Sequence, residues 1–235
     1  MQQWNVFLKM VVKRKVIIKM QGEAREFNEI AKNIFYPIYP VIAQQILENG
    51  ISEGICLDVG SGPGHLGLAI ARQTQMQVCL FDVSPEALMI AAQNIQDEAL
   101  EGRVYTKQGN VEDIPYPDES FNLVTSRGSL FFWEDKVTGI NEIFRVLKPG
   151  GMAYIGGGFG NQKLRKTVDE KMLAIDDQWL IKAATRMNSE ENYSELMLRT
   201  KVDEFKIKDD EAGLWISFQK NQTRRKQNEP LSSNN

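Results

Sequence analysis

An α/β fold, in which helices cover both faces of a mostly parallel sheet, is predicted by two features of the sequence. From Glu23 onward helical patterns alternate with short β-rich runs, and the first of those runs passes directly into a glycine-rich turn and another helix. With 235 residues, 42% of them hydrophobic and 25% charged, one globular domain is the natural expectation.

The elements follow in order. Residues from about Glu23 to Asn49 carry a helical pattern, broken at Pro37 and Pro40 in "FYPIYP" and stopped at Asn49-Gly50, and so form an N-terminal cap. "GICLDV" is a buried strand, "GSGPG" a turn and "HLGLAIARQ" a helix. "QVCLFDV" is the second strand, and "SPEALMIAAQNIQDEAL" opens a helix with a Ser cap and Pro at its first position. "RVYTKQG" and "FNLVTSR" are the third and fourth strands. A helix from about Asp135 to Leu147 leads through the turn "KPGG" to "MAYIGGG", the fifth strand. One long helix is expected over roughly Gln162 to Asn188, followed by "VDEFKIKDD" and "GLWISFQK" as two antiparallel closing strands.

These elements define a domain over residues 21–220 with its helical cap at 21–50. Residues 221–235 have too little apolar content to pack and are expected to be a disordered tail. Residues 1–20 combine helically spaced apolar residues with Lys9, Lys13, Arg14, Lys15 and Lys19 and no acid. The preferred reading is a disordered or loosely docked basic extension, or translation that begins at Met20. A basic arm touching anionic lipid is the less favoured alternative.

The formal net charge of −3 with interspersed acids and bases gives no broad field for nucleic acid. Cys56 and Cys79, the two cysteines, both lie in apolar strands, which suits buried thiols in a reducing compartment and a cytoplasmic protein. No stretch approaches the roughly 18 uninterrupted apolar residues of a membrane span. No His/Cys set has zinc-ligand spacing, so no metal is expected.

The strongest chemical signal is "LDVGSGPG", Leu57 to Gly64, at a strand-to-helix junction. Gly60, Gly62 and Gly64 let the backbone turn tightly and approach a ligand. Gly62, Gly64 and Gly67 also satisfy GxGxxG, so the loop alone does not separate one nucleotide from another. Asp82 ends the second strand 20 residues after Gly62, where a carboxylate can accept from both hydroxyls of a ribose. Asp58 ends the first strand, where its charge suits a ligand with an amino group and a sulfonium and repels a pyrophosphate.

Four blocks in order, "LDVGSGPG", "FDVSPEAL", "GNVEDIPYPDESFNLVTS" and "EIFRVLKPGG", resemble the class I S-adenosylmethionine-dependent methyltransferases over roughly Glu23 to Lys220. The last two blocks are similar to the small-molecule branch that includes the ubiquinone and menaquinone C-methyltransferases. The resemblance implies a Rossmann-like three-layer sandwich whose seven-stranded sheet has its last strand antiparallel. It also implies S-adenosyl-L-methionine as cofactor, methyl transfer by in-line displacement, and a small-molecule acceptor. Gly60, Ser61, Gly62 and Gly64 would line the methionine part with Asp58 at its amino group. Asp82, with Val83 beside it, would bind the ribose. Asn110 and Val111 would meet the adenine, with Asn110 where many relatives have Asp, and Ser126 and Arg127 would stand beside the departing methyl group.

In-line displacement needs positioning more than acid or base chemistry. Candidate catalytic groups are accordingly few, namely Arg127 and Tyr36. Arg127 would either clamp an acidic acceptor or pair with Glu134 or Asp135. Tyr36 and Tyr39 on the cap would close over the cofactor and supply a phenol. His65, the only histidine, reads as a loop or helix-start residue rather than a base. Phe131, Phe132 and Trp133 read equally as the wall of an apolar acceptor or as core. The bare "GGGFG" at Gly156 to Gly160 would leave room for substrate or backbone contact, or permit a bulge. Methylation of a protein or RNA target, and a non-catalytic S-adenosylmethionine-binding protein, are the alternatives.

Overall fold

The computed structural model describes residues 23–187 and 192–221, so both terminal segments discussed above lie outside it. The seven expected strands form one sheet in the order β3-β2-β1-β4-β5-β7-β6. They are β1 (Ile55–Val59), β2 (Gln77–Asp82), β3 (Val104–Gln108), β4 (Phe121–Arg127), β5 (Leu147–Gly156), β6 (Phe205–Asp210) and β7 (Gly213–Gln219). β1 to β5 run parallel, and β7 is antiparallel to both of its neighbours, β5 and β6. Because β1 lies between β2 and β4, chain order reverses there, and a crevice opens beyond the carboxyl ends of these strands.

Period-two alternation divides the core. Cys56, Val78, Leu80 and Leu123 face one side, and they pack with Ile42 and Ile46 of α1 (Ile38–Leu47) and Leu68 of α2 (His65–Gln73). Ala91 and Ile95 of α3 (Pro85–Asp97) join the same layer. Leu57, Cys79, Phe81 and Val124 face the other side, against Ile140 and Ile143 of α4 (Lys136–Val146). Each fully buried aliphatic or aromatic side chain of this kind is worth about 1.5–3 kcal/mol. Ser84 caps α3 by accepting from the Ala87 N–H, with Pro85 at the first helical position as the sequence requires.

Three local expectations are corrected. Pro40 does not interrupt a helix; it lies in the first turn of α1, where an N–H has no intrahelical partner to lose. Ahead of it, helical residues 23–30 widen into a π-turn at Ala31–Phe35, and Pro37 serves as the cap of α1. The single helix expected over 162–188 is two, α5 (Gln162–Leu173) and α6 (Trp179–Met187). Between them the Asp176 carboxylate accepts from the Gln178 N–H, a local bond that competes with helix continuation. "KPGG" belongs to β5, which starts at Leu147 and is irregular in its pairing to β4. A short α7 (Tyr193–Leu198), capped by Asn192, was not anticipated.

Arg145 ties two of the sequence blocks together. It bonds Glu142 through Nε and Nη2 at 2.7 and 2.8 Å, the carbonyls of Ile114 and Tyr116, and Asp118. The Ile114 N–H donates in turn to Glu142. The loop after β3 is thereby fixed onto α4. Among the described residues no helix is long and apolar enough to cross a membrane.

Candidate functional site

The switch-point crevice is a cavity of about 910 Å³. Its floor is the loop from Gly60 to Pro63, and its walls come from the ends of β1, β2 and β4, the loop after β3, the helical cap, and α5 and α6.

Gly60 and Gly62 adopt φ of +63° and +53°, the left-handed region where a Cβ is strained. At Gly60 space is decisive as well, since a Cβ would stand 2.2 Å from Cβ of Ser129. The Ser61 N–H donates to the Phe81 carbonyl and the Gly62 N–H to Asp82 Oδ2 at 2.8 Å, which binds the loop to the end of β2. Asp82 Oδ1 accepts from the Ser84 N–H at 2.9 Å. The Ser61 hydroxyl oxygen is buried and has no hydrogen-bond partner among the described residues.

Asp58 is 1% exposed; its Oδ2 accepts from the Gly67 N–H at 2.9 Å and its Oδ1 from the Thr125 hydroxyl at 3.2 Å. Burial pushes its carboxyl up to about 7, against those two bonds, which act to lower it. A cationic group in the cavity would be drawn to its ionised form.

Of the residues singled out in the sequence, Asp58, Gly60, Ser61, Gly62, Asp82, Val83, Asn110, Val111 and Arg127 all line the cavity. Asn110 Oδ1 accepts from the Glu112 N–H, and Glu112 Oε1 accepts from the N–H groups of Glu134 and Asp135, so the loops after β3 and β4 are joined over the cavity edge. Gly64 and Ser126 stand apart from the lining. Gly64 packs on Leu80 at the start of α2. Ser126 is fully buried and its Oγ lies 2.7 Å from that of Ser129. Ser129, whose hydroxyl also donates to the Val59 carbonyl and accepts from Trp133 Nε1, is the serine that faces the cavity.

Tyr36 is 43% exposed and lies under the Arg72 guanidinium, outside the cavity, whereas Tyr39 lines it. The Tyr39 ring stacks on His65, 5.3 Å between centroids. His65 Nε2 lies 3.0 Å from Asn28 Oδ1, which also accepts from Asn94 Nδ2. An amide oxygen can only accept, so Nε2 carries the proton. Burial lowers the His65 pKa to about 4, which leaves a neutral imidazole that pins the cap to the loop.

Arg127 makes no ion pair with a described residue, Glu134 and Asp135 included. Its Nε donates to the Gly158 carbonyl at 3.0 Å, and its guanidinium carbon lies 5.3, 5.7 and 5.3 Å from the ring centroids of Phe35, Tyr39 and Phe159. Of the bare glycines at the end of β5, Gly157 lines the cavity, and Gly157 and Gly158 both lie close against aromatic rings of the protein. A Cβ at Gly158 would strike the Trp215 indole, and one at Gly157 the Phe131 ring. Phe131, Phe132 and Trp133 all line the cavity, Trp133 as a largely buried side chain.

Sequence reasoning missed Phe27, Phe35, Phe159, Met172 and Trp179, which also line the cavity. Their signal is weak, because each reads as an ordinary apolar residue of a helix or loop, and only tertiary packing brings them to one wall.

The family described as a methyltransferase domain matches residues 57–155. The chain is 41% identical over 102 residues to a 2-methyl-6-phytyl-1,4-hydroquinone methyltransferase of Oryza sativa subsp. japonica, covering 43% of this chain and 30% of that protein. It is 36% identical over 106 residues to a demethylmenaquinone methyltransferase of Chlorobaculum parvum, covering 45% and 42%. The chain thus spans less than half the length of these relatives. A solved structure from Methanococcus maripaludis, described as an S-adenosyl-L-methionine-dependent methyltransferase, is 38% identical with a TM-score of 0.82, over 87% of this chain and 95% of that one.

Proposed function

Because the chain belongs to the S-adenosylmethionine-dependent methyltransferases, as its likeness to the Methanococcus protein establishes, we propose that it methylates a small-molecule acceptor by in-line displacement in the cytoplasm. The observation that carries this reading is the meeting, in one cavity, of two strand-end carboxylates, Asp58 and Asp82, with a glycine loop whose Ser61 hydroxyl has no hydrogen-bond partner among the described residues.

Those groups suit S-adenosylmethionine. Asp82 would hold the ribose hydroxyls, since each carboxylate oxygen uses one acceptor site on a backbone N–H and keeps another. Asp58 would hold the amino group, the Ser61 hydroxyl would donate to the carboxylate, and Val111 with Asn110 would flank the adenine. Bound S-adenosylmethionine supplies a methyl group already activated by its sulfonium. What is left to the protein is to orient and to exclude water. Phe35, Tyr39, Phe159 and Trp179 provide an apolar wall for that purpose. Burial raises the Tyr39 phenol and lowers His65, so neither is tuned as a base near neutral pH. That favours an acceptor whose nucleophile needs no deprotonation by the protein.

Incubation with methyl-labelled cofactor and fractionated cell extract tests the reading. Label is expected in the small-molecule fraction; label confined to protein or RNA, or binding without turnover, would overturn it.

Asp58 gives a pH prediction. With its folded pKa raised above the unfolded value, ionised Asp58 opposes folding progressively as pH rises from about 4 to about 7. A bound ammonium favours that ionised form, so below about 7 binding must first expel a proton. Cofactor affinity should therefore fall about tenfold per unit as pH drops from 7 towards 5. Asp58→Asn should bind more weakly at pH 7 with a flatter profile, measured by calorimetry; an unchanged slope would remove Asp58 from contact with the ammonium.

A further inference from the structure

Arg127 and Arg145 are treated differently by the same fold. Arg145 spends its guanidinium on Glu142, Asp118 and two backbone carbonyls. Arg127, at the carboxyl end of β4, has one hydrogen bond to a described residue, from Nε to Gly158. Its two terminal nitrogens have no hydrogen-bond partner among the described residues, and the group faces the cavity. Three aromatic faces fix the guanidinium plane without consuming those donors. A cation withdrawn from bulk water and left without a counter-charge is costly, unless a ligand anion completes it.

The surroundings limit that anion. The cavity also receives Asp58, Asp82, Glu112 and Glu134, and the one lysine among its described lining residues, Lys182, is paired with Asp176 at 2.8 Å. A doubly charged phosphate would meet net repulsion from these acids. A single carboxylate matches two parallel N–H donors and one positive charge. The volume of about 910 Å³ lies near the top of the range of roughly 300–1,000 Å³ for small-molecule sites, which leaves room for a second ligand beside the cofactor.

Resting on the methyl-transfer reading above, we infer that the acceptor is an apolar molecule bearing one carboxylate, which the terminal nitrogens of Arg127 receive while Phe35, Tyr39 and Phe159 enclose the apolar body.

The test uses the full chain saturated with S-adenosylhomocysteine and a panel of apolar monocarboxylates, benzoate, naphthoate and octanoate, each titrated calorimetrically against its primary amide. At least one acid should bind about 10- to 150-fold more tightly than its amide, the range expected for hydrogen bonds to a charged group. Arg127→Met, which keeps the apolar stem, should abolish the preference and leave S-adenosylhomocysteine affinity within about twofold. Should that variant not fold, Arg127→Lys serves, with charge retained, the planar fork lost and a reduced preference expected. Equal binding of acid and amide, no binding of any probe at millimolar concentration, or a preference that survives in Arg127→Met would overturn the inference. Failure of S-adenosylhomocysteine itself to bind would instead strike the methyl-transfer reading, and the acid-to-amide ratio on the free protein would then decide the role of Arg127.

Discussion

Asp82→Ala is expected to weaken S-adenosylhomocysteine binding by about 10- to 150-fold, the loss that follows from removing charge-assisted hydrogen bonds worth about 1.5–3 kcal/mol. The structure adds a second cost. Asp82 Oδ2 holds the Gly62 N–H and Oδ1 the Ser84 N–H, so the variant also frees the loop that forms the cavity floor. Asp82→Asn is not a gentle substitute, because one side of the amide would aim its own donor at a backbone N–H. Calorimetry on the folded variants reads the affinity, and unchanged binding in Asp82→Ala would exclude Asp82 from the ribose site.

The second large effect is expected at Gly60. An alanine there meets Ser129 Cβ at 2.2 Å and must also hold a φ of +63°. Left-handed backbone costs an ordinary residue about 1–2 kcal/mol and overpacking about 1–3 kcal/mol, so Gly60→Ala should lose about 2–5 kcal/mol of stability. Ser129 also anchors Trp133 and the Val59 carbonyl, so its displacement should distort the cavity and reduce cofactor affinity by more than tenfold. Combining Gly60→Ala with Ser129→Gly should recover part of the stability by removing the clash. Denaturant unfolding measures both, and a loss below about 0.5 kcal/mol in the single variant would contradict the close approach.

The half of the cavity proposed to hold the cofactor was legible because its chemistry is local in sequence. Asp58 sits two residues before Gly60, and Asp82 ends the next strand, so the strand-turn-helix pattern alone brings both to one edge. The opposite wall was not legible in this way. Tyr36 and Tyr39 are three residues apart on the cap, yet one lies under Arg72 at the surface and the other on His65 inside, a choice set by packing that helical spacing does not reveal. Ser126 and Ser129 pose the same problem: one lies near the end of β4 and the other just past it, and the tight turn through Gly128 carries the second rather than the first to the cavity. Local bonds account for the other differences. Asp176 ends one expected helix early, and Pro40 is harmless because it falls in a first turn. Phe159 and Trp179 reach the wall through Phe35, which stacks on the first and meets the second edge to face.

The arrangement has a simple electrostatic logic. Two acids and a glycine loop occupy one part of the cavity, and a guanidinium among aromatic rings occupies another. Tyr39 feels the charges of both Arg127 and Asp58, so these two regions share a wall. A cationic cofactor and an anionic acceptor would each find the opposite charge within the same enclosure.

Calorimetric titration of the full chain with S-adenosylhomocysteine, repeated with S-adenosylmethionine as competitor, tests the central claim most directly. One saturable site per chain, shared by the two nucleosides and weakened by Asp82→Ala, is the predicted result. Folded protein that gives no binding signal for either nucleoside at millimolar concentration would contradict it.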